Sequence, residues 1–382
     1  MLVEHDLLET LCCPVSKWPL RVMTPQEVQE VNTTIVGDRA SYADGARVTE
    51  PMEGALATID EASVYAIREG VPALLPELRI LRGGNAAPVT GAIPGTPREG
   101  PAADYWAELS RHWDDRQPPR RPGPQDTALL ERVVGEALAS ARPARPRALQ
   151  LGVTPEIATM RWPSGTHLLA LDLSVPMIRN VWPAQRVHDA AVVRGDWLAM
   201  PVRDATYDIV VGDASISIQR YPDAFFSLVR EVRRVLKDNG VLATRVFSRP
   251  EEREPLDKIF ADLRAGGIGN LDFLRWRLVA ALHRDRAAGT RMGDIWDAWE
   301  ANVPDPHGLM ESLGWPLEAP RAMEHLRGGE AVAIFPTLRE LRDDLRQDFE
   351  EAACDCPDCE DGDRYPTMVF RPRPRPSHHR SA

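Results

Sequence analysis

Lysine is almost missing from this chain: only Lys17, Lys237 and Lys258 occur, so nearly all positive charge is arginine. That bias reads as base composition rather than chemistry. Positive charge is also outnumbered. A net charge of −11 disfavours a broad nucleic-acid footprint, because duplex binding rests on many phosphate contacts. Cysteine is scarce as well. The five fall in two clusters, Cys12 with Cys13 and Cys354 with Cys356 and Cys359, which is no disulfide framework for a chain of 382 residues. No apolar run approaches the length that spans a bilayer, so no membrane role is expected. The opening Met1-Leu-Val-Glu-His-Asp-Leu7 is acidic and amphipathic, unlike a basic-then-apolar export signal. A cytoplasmic location is expected.

What is present divides into units. Residues 1–78 hold a short helical stripe, Asp6 to Leu11, and an alternating strand and turn around Ser63 to Pro76. Residues 79–103 are a linker by their Gly and Pro content, and 104–250 a larger unit in which strands and helices alternate. That alternation predicts a doubly wound parallel sheet of the α/β class. Phe225, Leu228, Val229, Val232, Val235 and Leu236 recur at helical spacing, and Asn239-Gly240 is expected to close that helix with a left-handed cap. Residues 251–336 read as a helical insertion, expected to form a lid and substrate region, with Trp276, Trp296, Trp299 and Trp315 spread through it. Residues 337–372 resume the sheet, and 373–382 are expected to be a disordered tail.

Leu149-Gln-Leu-Gly-Val-Thr-Pro155, then Leu168-Leu-Ala-Leu-Asp172, then Arg194-Gly-Asp-Trp197 read as strand, turn, helix, strand and a second strand end. This is the outline of a sheet that binds an adenine nucleoside across its carboxyl edge. Gly152 and Asp172 are 20 residues apart, which suits a strand-end acid accepting from ribose hydroxyls. Asp196 would read the adenine amino group, Met177 and Trp197 would sandwich the ring, and Asp213 would face the substrate side. The turn departs from the usual pattern. It keeps Gly152 alone, with Thr154 and Pro155 where further glycines commonly stand, and Gln150 where an acid is usual. Thr154-Pro155-Glu156 should start a helix whose N–H groups face an anion, with Glu156 towards a cationic group.

Five segments in order resemble the class I S-adenosylmethionine-dependent methyltransferases: Ala148–Gly152, Leu169–Ile178, Gly195–Pro201, Tyr207–Asp213 and Arg230–Leu242. The resemblance implies a Rossmann-like sheet and S-adenosylmethionine as cofactor. It places cofactor contacts at Gly152, Asp172, Leu173, Met177, Asp196, Trp197 and Asp213. The first unit, through Leu7–Leu20 and Tyr65–Pro76, resembles the small α+β Trm112-like proteins, known as activators of methyltransferases. That resemblance implies an intramolecular contact between the two units. Zinc-bearing members use paired Cys-x-x-Cys knuckles, whereas Ser16 follows Cys13 here, so no metal is expected in this unit.

The expected function is therefore S-adenosylmethionine-dependent methyl transfer, with a small molecule as substrate. Gly212-Asp-Ala-Ser-Ile216 lacks the Asn/Asp-Pro-Pro-Tyr pattern that goes with amide or base-nitrogen methylation. Two alternatives stay open: a non-catalytic scaffold that has lost its cofactor, and an enzyme modifying tRNA, rRNA or protein of the translation apparatus. A nucleotide-dependent oxidoreductase is a weaker one. Asp213 and Tyr221 are candidate bases by position, with His112 as a third. Cys354, Cys356 and Cys359 form a weak alternative metal site, lacking a fourth ligand at suitable spacing.

Overall fold

A computed structural model describes residues 5–82, 101–141, 143–187 and 189–374, so most of the expected linker and tail lie outside the described residues. The first unit comprises α1 (His5–Thr10), β1 (Leu20–Val22), α2 (Pro25–Val36), β2 (Gly54–Thr58), β3 (Ser63–Arg68), β4 (Val71–Pro72) and β5 (Ile80–Leu81). Thr24 and Glu27 close a capping box at the start of α2, with Pro25 in its first turn. The strands form one antiparallel sheet in the order β1-β2-β3-β4, with β5 also on β3. Ile80 pairs with Val64, so this sheet runs past residue 78.

The second unit begins with α3 (Pro101–Arg111) and α4 (Pro124–Ala141). Then come β6 (Arg147–Leu151), α5 (Pro155–Ala158), β7 (His167–Asp172), α6 (Val175–Val181), β8 (Ala190–Arg194), β9 (Tyr207–Asp213), α7 (Asp223–Val235) and β10 (Leu236–Arg245). The insertion holds α8 (Leu256–Arg264), α9 (Leu271–Leu282), β11 (Thr290–Arg291), α10 (Met292–Asn302), α11 (Pro306–Leu313), α12 (Ala319–Glu324) and β12 (Val332–Ala333). After α13 (Leu338–Leu345), β13 (Phe349–Asp355) and β14 (Thr367–Pro372) complete a seven-stranded sheet. Its order is β13-β14-β10-β9-β6-β7-β8, parallel from β10 to β8 and antiparallel at β14 and β13. Burial on both faces explains the near-continuous apolar runs of β6, β7 and β9.

Two local expectations are corrected. The helix ending at Val235 passes straight into β10, whose register shifts between Leu236 and Val241. Gly240 is absorbed into that irregularity and does not adopt a left-handed cap. The helix after the Gly152 turn is a single turn of four residues, and the Thr154 side chain caps nothing in it.

The two units are joined through backbone and core. Ala73 pairs in parallel with Arg194, and the Leu74 amide donates to the Arg194 carbonyl at 2.8 Å. The edge of β8 is therefore covered by chain leaving β4, which removes an open template for aggregation. Leu11 bridges Val202, and the Cys12 amide donates to the Pro201 carbonyl at 2.9 Å. Leu11, Leu56, Tyr65 and Leu74 share one apolar core with Leu169, Leu171, Val193 and Met200. The insertion has its own core around Trp276, Trp296 and Trp299.

Candidate functional site

The carboxyl ends of β6 and β7 meet at Gly152, which follows β6 with φ at +95°, a backbone state that favours glycine. A Cβ placed there would lie 3.5 Å from the Trp197 ring and 3.9 Å from Asp172 Oδ2. Asp172 and Trp197 thus converge on the one glycine of the turn. The Trp197 indole donates to the Leu171 carbonyl at 2.6 Å, and the Gly152 amide donates to the same oxygen at 2.8 Å. These bonds fix the ring across the gap between the two strands.

Asp172 Oδ1 accepts from the Ser174 amide at 2.8 Å. Burial pushes its carboxyl up to about 7, and the backbone amides of Ser174 and Leu173 only partly offset this. Leu173 contributes its carbonyl to Arg194 Nε at 3.1 Å. Asp196 is buried and accepts from the Leu198 amide at 2.8 Å, capping the short 3-10 turn Trp197–Ala199. Its side chain is thereby oriented beside Trp197.

Met177 differs from expectation. It is buried among Leu109, Trp113 and Val153, where α3 packs over α6, whereas Trp197 packs against the other core. The two belong to different apolar clusters. Gln150 is fully buried and its amide donates to the Thr154 carbonyl at 2.9 Å, so it braces the turn from below. Glu156 accepts from Arg121 Nε at 2.7 Å, while its other oxygen, Oε2, is buried without a partner.

Asp213 is engaged rather than open to the substrate side. Arg245, fully buried at the end of β10, donates to Asp213 Oδ1 at 2.7 Å and stands 3.4 Å from Asp126 Oδ2. Burial raises the Asp126 carboxyl, and Arg245 and the Gly123 amide oppose that rise. The sequence reading missed this Asp126–Arg245–Asp213 group. An arginine closing the apolar run Val241–Arg245 was the available signal, since a buried guanidinium requires carboxylates.

Tyr221 is tied elsewhere. Its hydroxyl donates to Asp344 Oδ1 at 3.2 Å, and Arg286 lies 4.5 Å from its ring centroid. Burial and the Asp344 charge raise its phenol. His112 is exposed on α3's far end, between Glu108 at 3.2 Å and Asp115 at 3.1 Å. Cys354 is half-buried with its thiol pushed up to about 11 by burial, while Cys356 and Cys359 are exposed. Among the described residues no group of three or more His, Cys, Asp or Glu side chains is placed to hold a metal ion. No described helix is long and apolar enough to cross a membrane.

The sequence profile of a family described as "Methyltransferase domain" matches residues 149–244, from β6 through most of β10. The chain carries a class I S-adenosylmethionine-dependent methyltransferase domain. Solved structures similar to the chain include N-methyltransferase NodS from Bradyrhizobium japonicum in complex with S-adenosyl-L-homocysteine. It is 12% identical, covers 70% of this chain and 97% of that one, and has a TM-score of 0.39. Another belongs to the complex of the Haloferax volcanii Trm112 methyltransferase activator with the putative methyltransferase. It is 14% identical, covers 72% and 97% of the two chains, and has a TM-score of 0.38. A protein of Xylella fastidiosa is 32% identical over 21% of this chain and 81% of that one, with a TM-score of 0.17. No curated protein matches the sequence.

The fold of this domain is that of methyltransferases that bind S-adenosylmethionine or S-adenosylhomocysteine. The residues around Gly152 suit that ligand chemically. A bare glycine permits close backbone approach, a desolvated carboxylate seeks hydroxyl donors, and an indole offers an apolar face.

Proposed function

We propose that this chain is a methyltransferase acting on a small molecule, with Gly152, Asp172, Leu173, Asp196 and Trp197 forming the adenosyl cradle. The observation carrying this is the convergence of Asp172 and Trp197 on Gly152. Asp172 accepts the ribose hydroxyls, and Asp196 orients Trp197 and the backbone beside it for the adenine edge. Glu156 Oε2, buried and unpartnered, accepts from the ammonium of the methionine moiety. The bound cofactor supplies an electrophilic methyl group on a sulfonium. The chain's own part is to hold the nucleophile in line and exclude water, which can supply much of the rate.

Asp213 acts here as a positioning residue through Arg245, and Met177 supports the fold of α6. Tyr221 and His112 receive no role in proton transfer. The net charge of −11 and the helical insertion both suit a small-molecule substrate better than an extended polyanion. We read the first unit as a Trm112-like support fused in cis, on the strength of its pairing with β8 and its shared core.

Calorimetric titration with S-adenosylhomocysteine tests the cradle. The wild-type protein should bind one equivalent, and Asp172→Asn should weaken binding by roughly 10- to 100-fold, the range for a hydrogen bond to a charged group. Absence of binding by the wild type to either form of the cofactor would favour the scaffold reading.

A further inference from the structure

Away from the cradle, the arginines of this chain are mostly matched by carboxylates. Arg121 has Glu156, Arg245 has Asp213 and Asp126, and Arg277 has Glu254 and Asp262. One cluster of arginines is short of carboxylates. Arg116 and Arg120 lie in the loop between α3 and α4, and Arg275 faces them from α9 of the insertion. Asp272 serves Arg120 at 3.0 Å and Arg275 at 3.8 Å from the same oxygen, Oδ1. Arg116 has no carboxylate within ion-pair distance among the described residues, and its Nε is buried without a hydrogen-bond partner. Its guanidinium only rests over Trp113, 5.6 Å from the ring centroid.

Three half-buried guanidiniums thus gather around a single carboxylate, which pairs with only two of them. Burial and then mutual repulsion with Arg120 push Arg116 and Arg275 down to about 10. Arginine does not give up its proton in proteins, so this strain stays as an unmet demand for negative charge. Tyr105, on α3, points its phenol into the same group. Burial would raise that phenol, but Arg120, Arg116 and Arg275 together lower it. The group is joined to the cofactor edge, since neighbouring Arg121 holds Glu156 in the turn after Gly152. Asn270 ties α9 to the loop by donating to the Pro118 carbonyl at 3.2 Å.

We propose that Arg116, Arg120 and Arg275 form an oxyanion subsite that takes a carboxylate or phosphate group of the methyl acceptor. Planar guanidiniums suit both anions through paired N–H donors. Arg116 is the open arm, Arg275 brings the insertion into contact with substrate, and Asp272 holds the other two apart. The assignment of this anion to a substrate rests on the methyltransferase reading above. A second source of the same chemistry is the cofactor's own methionine carboxylate. That group arrives with an ammonium and a sulfonium, so it adds no negative charge to a site with two positive charges in excess.

The test titrates pyrophosphate and, separately, succinate into the full-length protein saturated with S-adenosylhomocysteine, in low-chloride buffer. At least one should bind at one equivalent. Arg116→Gln and Arg275→Gln should each weaken it tenfold or more, with the S-adenosylhomocysteine Kd within twofold of wild type. Arg145→Gln, which alters an exposed pair with Asp6, should change neither. Because Arg116 has no ion pair to lose, Arg116→Gln should remain folded and decides the matter even if Arg275→Gln does not. Lack of binding by both anions, or equal binding in Arg116→Gln, overturns the subsite. Loss of S-adenosylhomocysteine affinity in Arg116→Gln, with pyrophosphate competing against it, assigns the arginines to the cofactor and overturns the substrate assignment. If the wild type binds the anion but no S-adenosylhomocysteine, the oxyanion site stands and the methyltransferase reading falls.

Discussion

Asp172 carries the clearest pH signature of any residue in the cradle. Its carboxyl is raised from 3.8 to about 7 because burial disfavours the charged form. A raised acid contributes stability that is complete below its unfolded value. That contribution is lost as pH climbs through the folded value. In the absence of cofactor, this group therefore makes the protein less stable between about pH 4 and pH 7, and the loss levels off above that. Ribose hydroxyls favour the ionised carboxylate, so S-adenosylhomocysteine should bind more weakly as pH falls below 7, approaching tenfold per pH unit. Titrations from pH 5.5 to 8.5 would read this slope directly. An Asp172→Asn protein should show weak affinity and no such slope.

At the scale of elements, β10 illustrates both what sequence conveys and what it withholds. Its apolar run and the amphipathic α7 before it were legible, because burial imposes periodicity on contiguous residues. The partners of Arg245 were not, since Asp126 is 119 positions away and the pairing depends on tertiary approach. The same holds for Met177. Helix α3 covers it, and no local pattern shows which helix lies over which. The cap predicted at Gly240 failed because strand pairing with β9 draws the chain out of the helix sooner than local propensity suggests. Replacing Arg245 with Met should leave two buried carboxylates uncompensated, at a cost of about 3–5 kcal/mol. Thermal unfolding should show a Tm lower by roughly 10 °C at pH 7.5. The deficit should shrink at pH 5, where protonation relieves Asp126, already raised by burial.

For the whole molecule, the decisive link is the passage of chain from β4 onto β8. The alternation of strands and helices announced a doubly wound sheet, and the segment around Tyr65 announced a separate small unit. Neither indicated that one would continue the hydrogen bonding of the other at Ala73 and Arg194. The apolar side chains that make this joint, such as Leu74 and Val193, are ordinary core residues in sequence. Leu74→Ala should cost about 2–5 kcal/mol by leaving a cavity at the joint. Hydrogen exchange should quicken in β8 and in residues 71–75 ahead of β9, which lies at the centre of the large sheet. Uniform acceleration throughout would show that the two units unfold as a single block.

That joint has a bearing on how the protein behaves in a dilute cell. A separate subunit seated on β8 would come and go according to its supply, whereas a tether holds it at millimolar local concentration. Its occupancy does not depend on how much of the protein is present. Each sheet is thus born with its own companion, in fixed proportion and at any abundance.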